Sequence, residues 1–231
     1  MLVRADGAVA STYHPGMSDL EQMPPEPIVL GPSEPVPERP FTAIDLIDRD
    51  RAILHELLAD VCRLVADSVA GIRTIVPYDA MEWRVDGRAH RHIICLEDRL
   101  RSHPKLCVVG FFGERRTELD DTPLEEVNAA LVAEFSRYPG ITSYSSLELP
   151  GGQWANLVLH DDPVDTEYWR RSELHARAVT ALSQVHYRTV RIHNGELNGP
   201  LLQDPSIVLT STKFFDFTGE AEWRAKRAFD A

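Results

Sequence analysis

The sequence predicts an α+β fold, an antiparallel sheet with helices on one face, and three observations carry that prediction. Apolar positions recur at helical spacing from Asp50 to Val69 (Ile53, Leu54, Leu57, Leu58, Val61, Leu64, Val65) and again from Thr122 to Tyr138, the period of an amphipathic helix. Short β-rich runs such as Lys105 to Phe112 (KLCVVGFF) are bounded by turn residues, as strands are. In the second half these patterns follow one another as strand, helix, strand, strand, helix, strand, strand. At 231 residues, 43% hydrophobic and 26% charged, the chain is an ordinary globular one.

Residues 1–40 hold eight of the 16 prolines, and proline removes backbone donors. This stretch is expected to be a disordered Pro-rich arm, although its apolar piece Pro27-Ile28-Val29-Leu30 could lie across a neighbouring surface. Residues 41–104 then give the first helix, which Gly71 is placed to stop, and a hairpin from Met81 to Leu96 around Asp86-Gly87, a pair suited to a type I′ turn. They form either a diverged first repeat of the later unit or a lid.

Residues 105–217 are the main domain. KLCVVGFF is apolar enough to be buried on both faces. Thr122 and Pro123 supply a cap and a first helical residue, and Pro139-Gly140 the stop. Strands follow at Ile141 to Leu149 and Gln153 to His160, then a helix from Val164 to Val185, a strand from Tyr187 to His193 and a last strand from Ile207 to Phe217. Residues 218–231 are read as a tail. Helices can cover only one face of such a sheet, so the other should meet a second sheet, from residues 41–100 or from a second copy: an internal pseudo-dimer or a homodimer.

The formal charge of −12 excludes the basic surface of a sequence-independent nucleic-acid binder and disfavours anionic lipid. No run reaches the length of a membrane span, and the first residues lack a signal-peptide core. Three cysteines without CxxC spacing are read as free thiols of a reducing cytoplasm. Rossmann, P-loop, hydrolase-elbow and HExxH motifs are absent.

The element order is the split βαβ arrangement of a ferredoxin-like domain with an added strand. Through KLCVVGFF and the Trp- and His-bearing segment WANLVLHDDPVDTEYWRRSELHARAV, the half from Lys105 to Phe217 resembles the dimeric α+β barrel superfamily. That group includes antibiotic-biosynthesis-monooxygenase-like and haem-degrading proteins. The resemblance implies a ligand held between sheet and helices, an apolar or aromatic small molecule, and chemistry with haem or with no cofactor. KLCVVGFF lacks the asparagine that the haem-degrading members carry in their first strand.

Plotted at about 100° per residue, the helix from Val164 to Val185 gathers Tyr168, Leu174, Ala178, Val179, Leu182 and Val185 on one side, with Arg171 and His175 among them. Buried polar groups need partners. Two readings stay open. His175 is a base, or an iron ligand if haem is bound, with Arg171 clamping an anion, or both are core residues satisfied by protein groups. Strand alternation sets Trp154, Asn156 and His160 on one face as further ligand contacts, although His160 beside Asp161-Asp162-Pro163 also reads as turn chemistry. Tyr187, Arg191 and His193 share a face of the next strand, His193 just before an Asn194-Gly195 turn. Tyr168 completes the expected ligand wall. His90 and His92, two apart on a strand, have a spacing that can hold a metal. With no third histidine nearby in sequence, the reading without metal is favoured there. The expected function is a small-molecule enzyme of secondary metabolism, monooxygenase-like or haem-binding. A cofactor-free lyase or cyclase and a non-catalytic ligand-binding protein are the alternatives.

Overall fold

The structure, a computed structural model, describes residues 26–229. Nine strands form one sheet, β1 (Ile28–Leu30), β2 (Ala80–Val85), β3 (Arg88–Ile94), β4 (Lys105–Arg115), β5 (Ile141–Leu149), β6 (Gln153–His160), β7 (Tyr187–Asn198), β8 (Ser206–Asp216) and β9 (Trp223–Ala228). Their order is β1-β9-β8-β7-β4-β6-β5-β3-β2. Every pairing is antiparallel except that of β1 with β9. The fold is therefore a mixed α+β one.

Helices cover both faces, not one. The long helix α1 (Ile44–Val69) lays Leu54, Leu57, Leu58, Val61 and Val65 against Val108, Phe112, Leu157 and Phe214. Alternation explains the choice of face: Leu106, Val108 and Phe112 of β4 turn toward α1. Gly110 lies in the same row, where a Cβ would run into the Leu54 side chain. The apolar face expected to need a second sheet is covered within the chain by α1. Residues 41–104 thus supply a helix across that face and, through β2 and β3, strands at the edge of the same sheet. The β2–β3 hairpin closes on Asp86 (φ 50°) and Gly87 (φ 80°), the positive angles a type I′ turn requires.

The opposite face carries α3 (Thr122–Ala133), α4 (Pro163–Arg170), α5 (Glu173–Arg177) and α6 (Ser183–His186); the short α2 (Glu97–Ser102) precedes β4. Here the core is a smaller cluster of Ile93, Phe135, Ile141 and Tyr144, with Val158 and Trp169 packed against it.

Both chain ends of the described region depart from expectation. Within the arm, Ile28–Leu30 pairs in parallel with Ala225–Arg227, and Leu30 is buried in the main core. Arg227 is the reason. Its buried guanidinium donates to the carbonyls of Gly31 (3.1 Å), Glu34 (2.5 Å) and Thr42 (2.6 Å), which ties the proline-rich segment down through backbone acceptors that sequence patterns do not display. Residues 1–25 of the expected arm lie outside the described residues. The expected tail 218–231 holds β9. Among the described residues no helix is long and apolar enough to cross a membrane, and all three cysteines are free.

Candidate metal centre

Asp60 of α1 meets His90 and His92 of β3 on the α1 face of the sheet. Two residues apart on a strand, the histidines point to the same side. α1 crosses that side, with Glu56, Asp60 and Arg63 along one flank at i, i+4 and i+7. His90 Nδ1 lies 3.0 Å and His92 Nε2 3.4 Å from Asp60 Oδ2. One ligand atom from each residue falls within 4.8 Å of the others. Metal–ligand bonds of about 2.1 Å separate neighbouring ligand atoms by roughly 3.0 Å in an octahedron and 3.4 Å in a tetrahedron. The two distances from the carboxylate oxygen are of that size.

The surrounding groups orient the three side chains. Ser145, opposite His92 on β5, engages His92 Nδ1 at 2.9 Å and leaves Nε2 toward Asp60 with no hydrogen-bond partner. Arg63 donates to the other carboxylate oxygen, Asp60 Oδ1, at 2.9 Å. Trp83 stacks flat on His92, with centroids 4.6 Å apart, and on His90 at 5.9 Å. Such outer partners fix ring orientation in metal sites. Burial alone would raise the Asp60 pKa, but the nearby His92, Arg63 and His90 outweigh it and hold the carboxyl far below the usual carboxylate range. Burial lowers the His92 pKa, against the opposing pull of Asp60. The site thus presents an anionic carboxylate and a neutral imidazole, the forms that bind metal.

The residues singled out from sequence are not brought into one pocket. The helix expected from Val164 to Val185 breaks after Arg170, because Ser172 caps a new helix by accepting from His175 N at 3.0 Å. It then runs through a π-helical turn at Ala178–Leu182. The continuous 100° arc therefore does not exist. Arg171 is exposed, Tyr168 is 58% exposed beside Tyr138, and Val179 and Val185 face solvent. His175 is half-buried, edge-on to Trp169 at 5.4 Å, and burial lowers its pKa, with Arg170 adding to the effect.

Trp154, Asn156 and His160 do share a face, that of Val158 and the helical layer. Arg115 lies over the Trp154 ring. His160 is buried with Nδ1 unpartnered; desolvation, then Arg170 and His175, push its pKa down to about 4.

His193 lies on the other side of the sheet. The expected turn after it is continuous strand, with β7 facing an irregularity of β8 at Thr210, where Gly195 lets the β8 backbone come close. Mid-strand and fully buried, His193 is held by Asp50 Oδ2 (2.9 Å) and Thr212 Oγ1 (2.8 Å), and Arg191 donates to both Asp50 oxygens (2.5 and 2.9 Å). Tyr187 does not share that face, since a bulge at Glu114/Arg115 turns it toward Phe111.

The sequence reading missed Asp60. His90 and His92 were visible, but their third partner lies 30 residues upstream, and only the crossing of α1 over β3 brings it there. The available signal was a carboxylate, Asp60, one turn after Glu56 on an amphipathic helix.

No family model matches the chain, and no curated protein matches it. Two solved structures are similar. Protein SO0527 from Shewanella oneidensis has a TM-score of 0.37 and 8% identity over 40% of this chain and 91% of its own. An aldoxime dehydratase has a TM-score of 0.29 and 12% identity over 65% of this chain and 40% of its own. Neither likeness carries the functional reading, which rests on the residues described above.

Proposed function

We propose that the protein is a mononuclear non-haem metalloprotein whose centre is Asp60, His90 and His92, serving an enzyme that acts on a small molecule. The convergence of two ring nitrogens on one carboxylate oxygen, at 3.0 and 3.4 Å, carries this reading. Two imidazoles and a carboxylate suit iron(II), zinc and their neighbours. Three protein ligands leave coordination positions open, as catalytic rather than structural sites do. A metal there would act as a Lewis acid or activate a bound water or dioxygen. The chain's own part is to hold the two imidazoles through Ser145 and Trp83 and to fix Asp60 through Arg63.

We further read β4 to β7 as a ferredoxin-like unit extended at both edges, supported by the sheet order β7-β4-β6-β5. The function test is metal analysis of protein reconstituted with iron(II), cobalt(II) or zinc, alongside its absorption spectrum. We expect about one metal ion per chain, and loss of that ion in His92→Ala and Asp60→Asn while folding stays cooperative. Wild-type protein that takes up none of the three ions would overturn the reading. An intense band near 400 nm in protein purified without added metal would instead point to haem.

A further inference from the structure

A cavity of about 330 Å³ opens beside the proposed centre, lined by Arg63, Arg73, Met81, Glu82 and Trp83. Arg63 joins the two. It donates to Asp60 Oδ1 at 2.9 Å, and its guanidinium lies 5.2 Å from the centroid of the Trp83 ring, the ring that stacks on His92. Of the three ligands Asp60 is the most open, its side chain 18% exposed against 3% and 0% for His90 and His92. The way to the centre from solvent therefore runs past Asp60 and Arg63.

The cavity is cationic on balance. Arg73 is exposed and makes no ion pair among the described residues. The single acid in the lining, Glu82, is engaged by Arg91 at 3.3 Å. Guanidinium groups present forked donors that match a carboxylate. The volume is at the small end for ligand pockets, and Trp83 gives it one flat apolar wall.

We infer that this cavity binds a small carboxylate, held by Arg63 and Arg73 so that one of its oxygens completes the metal's coordination. The inference rests on the proposed metal centre and names the substrate class that the centre would receive. A carboxylate seated there lies between the guanidinium groups of Arg63 and Arg73, and Arg63, through its bond to Asp60 Oδ1, links it to the centre.

The test uses the full chain loaded with cobalt(II), whose visible bands report on its ligands, titrated with oxalate. Saturable binding is expected, weakened about tenfold or more in Arg73→Gln with one cobalt still bound per chain, and partly kept in Arg73→Lys. Inorganic phosphate at the same concentrations should bind more weakly. Equal oxalate affinity in wild type and Arg73→Gln, phosphate binding as tight as oxalate, or oxalate stripping the cobalt would each overturn the inference and leave the metal centre standing. Failure of wild type to take up cobalt would overturn both.

Discussion

The two faces of the sheet obey the same alternation and yet are built differently. On the α1 face one unbroken helix of 26 residues buries Leu54, Leu57, Val61 and Val65 completely. On the other, α3, α5 and the π-helical turn bury no residue, and the layer is held mainly through Phe135, Tyr138 and Trp169. Buried polar groups do not follow that division. The α1 face pairs Asp50 with Arg191 and His193, and Arg227 with three carbonyls. Yet it leaves His90 Nε2 and His92 Nε2 without hydrogen-bond partners, as the helical layer leaves His160 Nδ1 and Thr166 Oγ1. Apolar periodicity on a helix therefore does not by itself say that the helix is buried. Continuity decides it, since only an uninterrupted helix keeps its stripe on one side.

The largest effect should come from the arm. Deleting residues 1–40 removes β1, the buried Leu30 and two of the three carbonyl acceptors of Arg227. Losing the burial of one leucine costs about 1.5–3 kcal/mol, and stranding a buried cation about 3–5 kcal/mol. The truncated chain should lose about 5 kcal/mol or more, read from urea midpoints. A midpoint within experimental error of the full chain would show that the arm is a solvated tail after all.

Next is Asp50→Ala. It leaves Arg191 and the fully buried His193 facing each other without their shared carboxylate. The expected cost is about 3–5 kcal/mol. Because Asp50 sits nearly three turns of α1 away from Asp60, about 15 Å along the helix, metal uptake per folded chain should stay as in wild type. Loss of the metal along with stability would mean that the α1 face behaves as one functional unit and not as a metal site beside a structural ion pair.

What was legible in the sequence follows the same division. The α1 helix, the Asp-Gly turn and the strands of the second half are written in local patterns, and each can be read within about a dozen residues. Three features were not local. Asp60 reaches its histidines across 30 residues, Arg227 binds backbone carbonyls that any sequence possesses, and the break at Ser172 depends on a capping hydrogen bond that competes with an otherwise regular helical stripe. The bulge opposite Glu114/Arg115 moved Tyr187 away from the face simple alternation gave it, and the stretch at Asn194/Gly195 continues as strand where a turn was expected. A one-residue slip is enough to change which side of the sheet a side chain faces.

The third effect is acid sensitivity centred on His160. Its pKa is about 6.5 in the unfolded chain and about 4 in the fold, so below pH 6.5 the unfolded chain takes up a proton that the folded one refuses. Stability is then complete above about pH 6.5 and falls as pH drops toward 4, by on the order of 3 kcal/mol from this residue. Below pH 4 both states are protonated and the contribution flattens. Denaturation midpoints at pH 7, 5.5 and 4 should show a shallower fall in His160→Gln than in wild type. Identical slopes would mean that His160 takes its proton within the fold.

The smallest effects should lie on the helical layer, and they bear most directly on the contrast between the faces. Arg171 and Val185 are exposed there, so Arg171→Ala and Val185→Ser should each change stability by no more than about 0.5 kcal/mol. Leu54→Ala on the α1 face should cost about 2–5 kcal/mol. A large cost for Val185→Ser would mean that something covers this layer in solution. Repeating the measurement at two protein concentrations separates the causes. A cost that shrinks on dilution would identify the cover as a second copy of the chain, docked on the helical layer and not on the sheet face that the sequence reading left for a second sheet. A cost independent of concentration would mean that the layer packs more tightly within one chain than the exposure of its helices indicates, and the contrast between the two faces would be withdrawn.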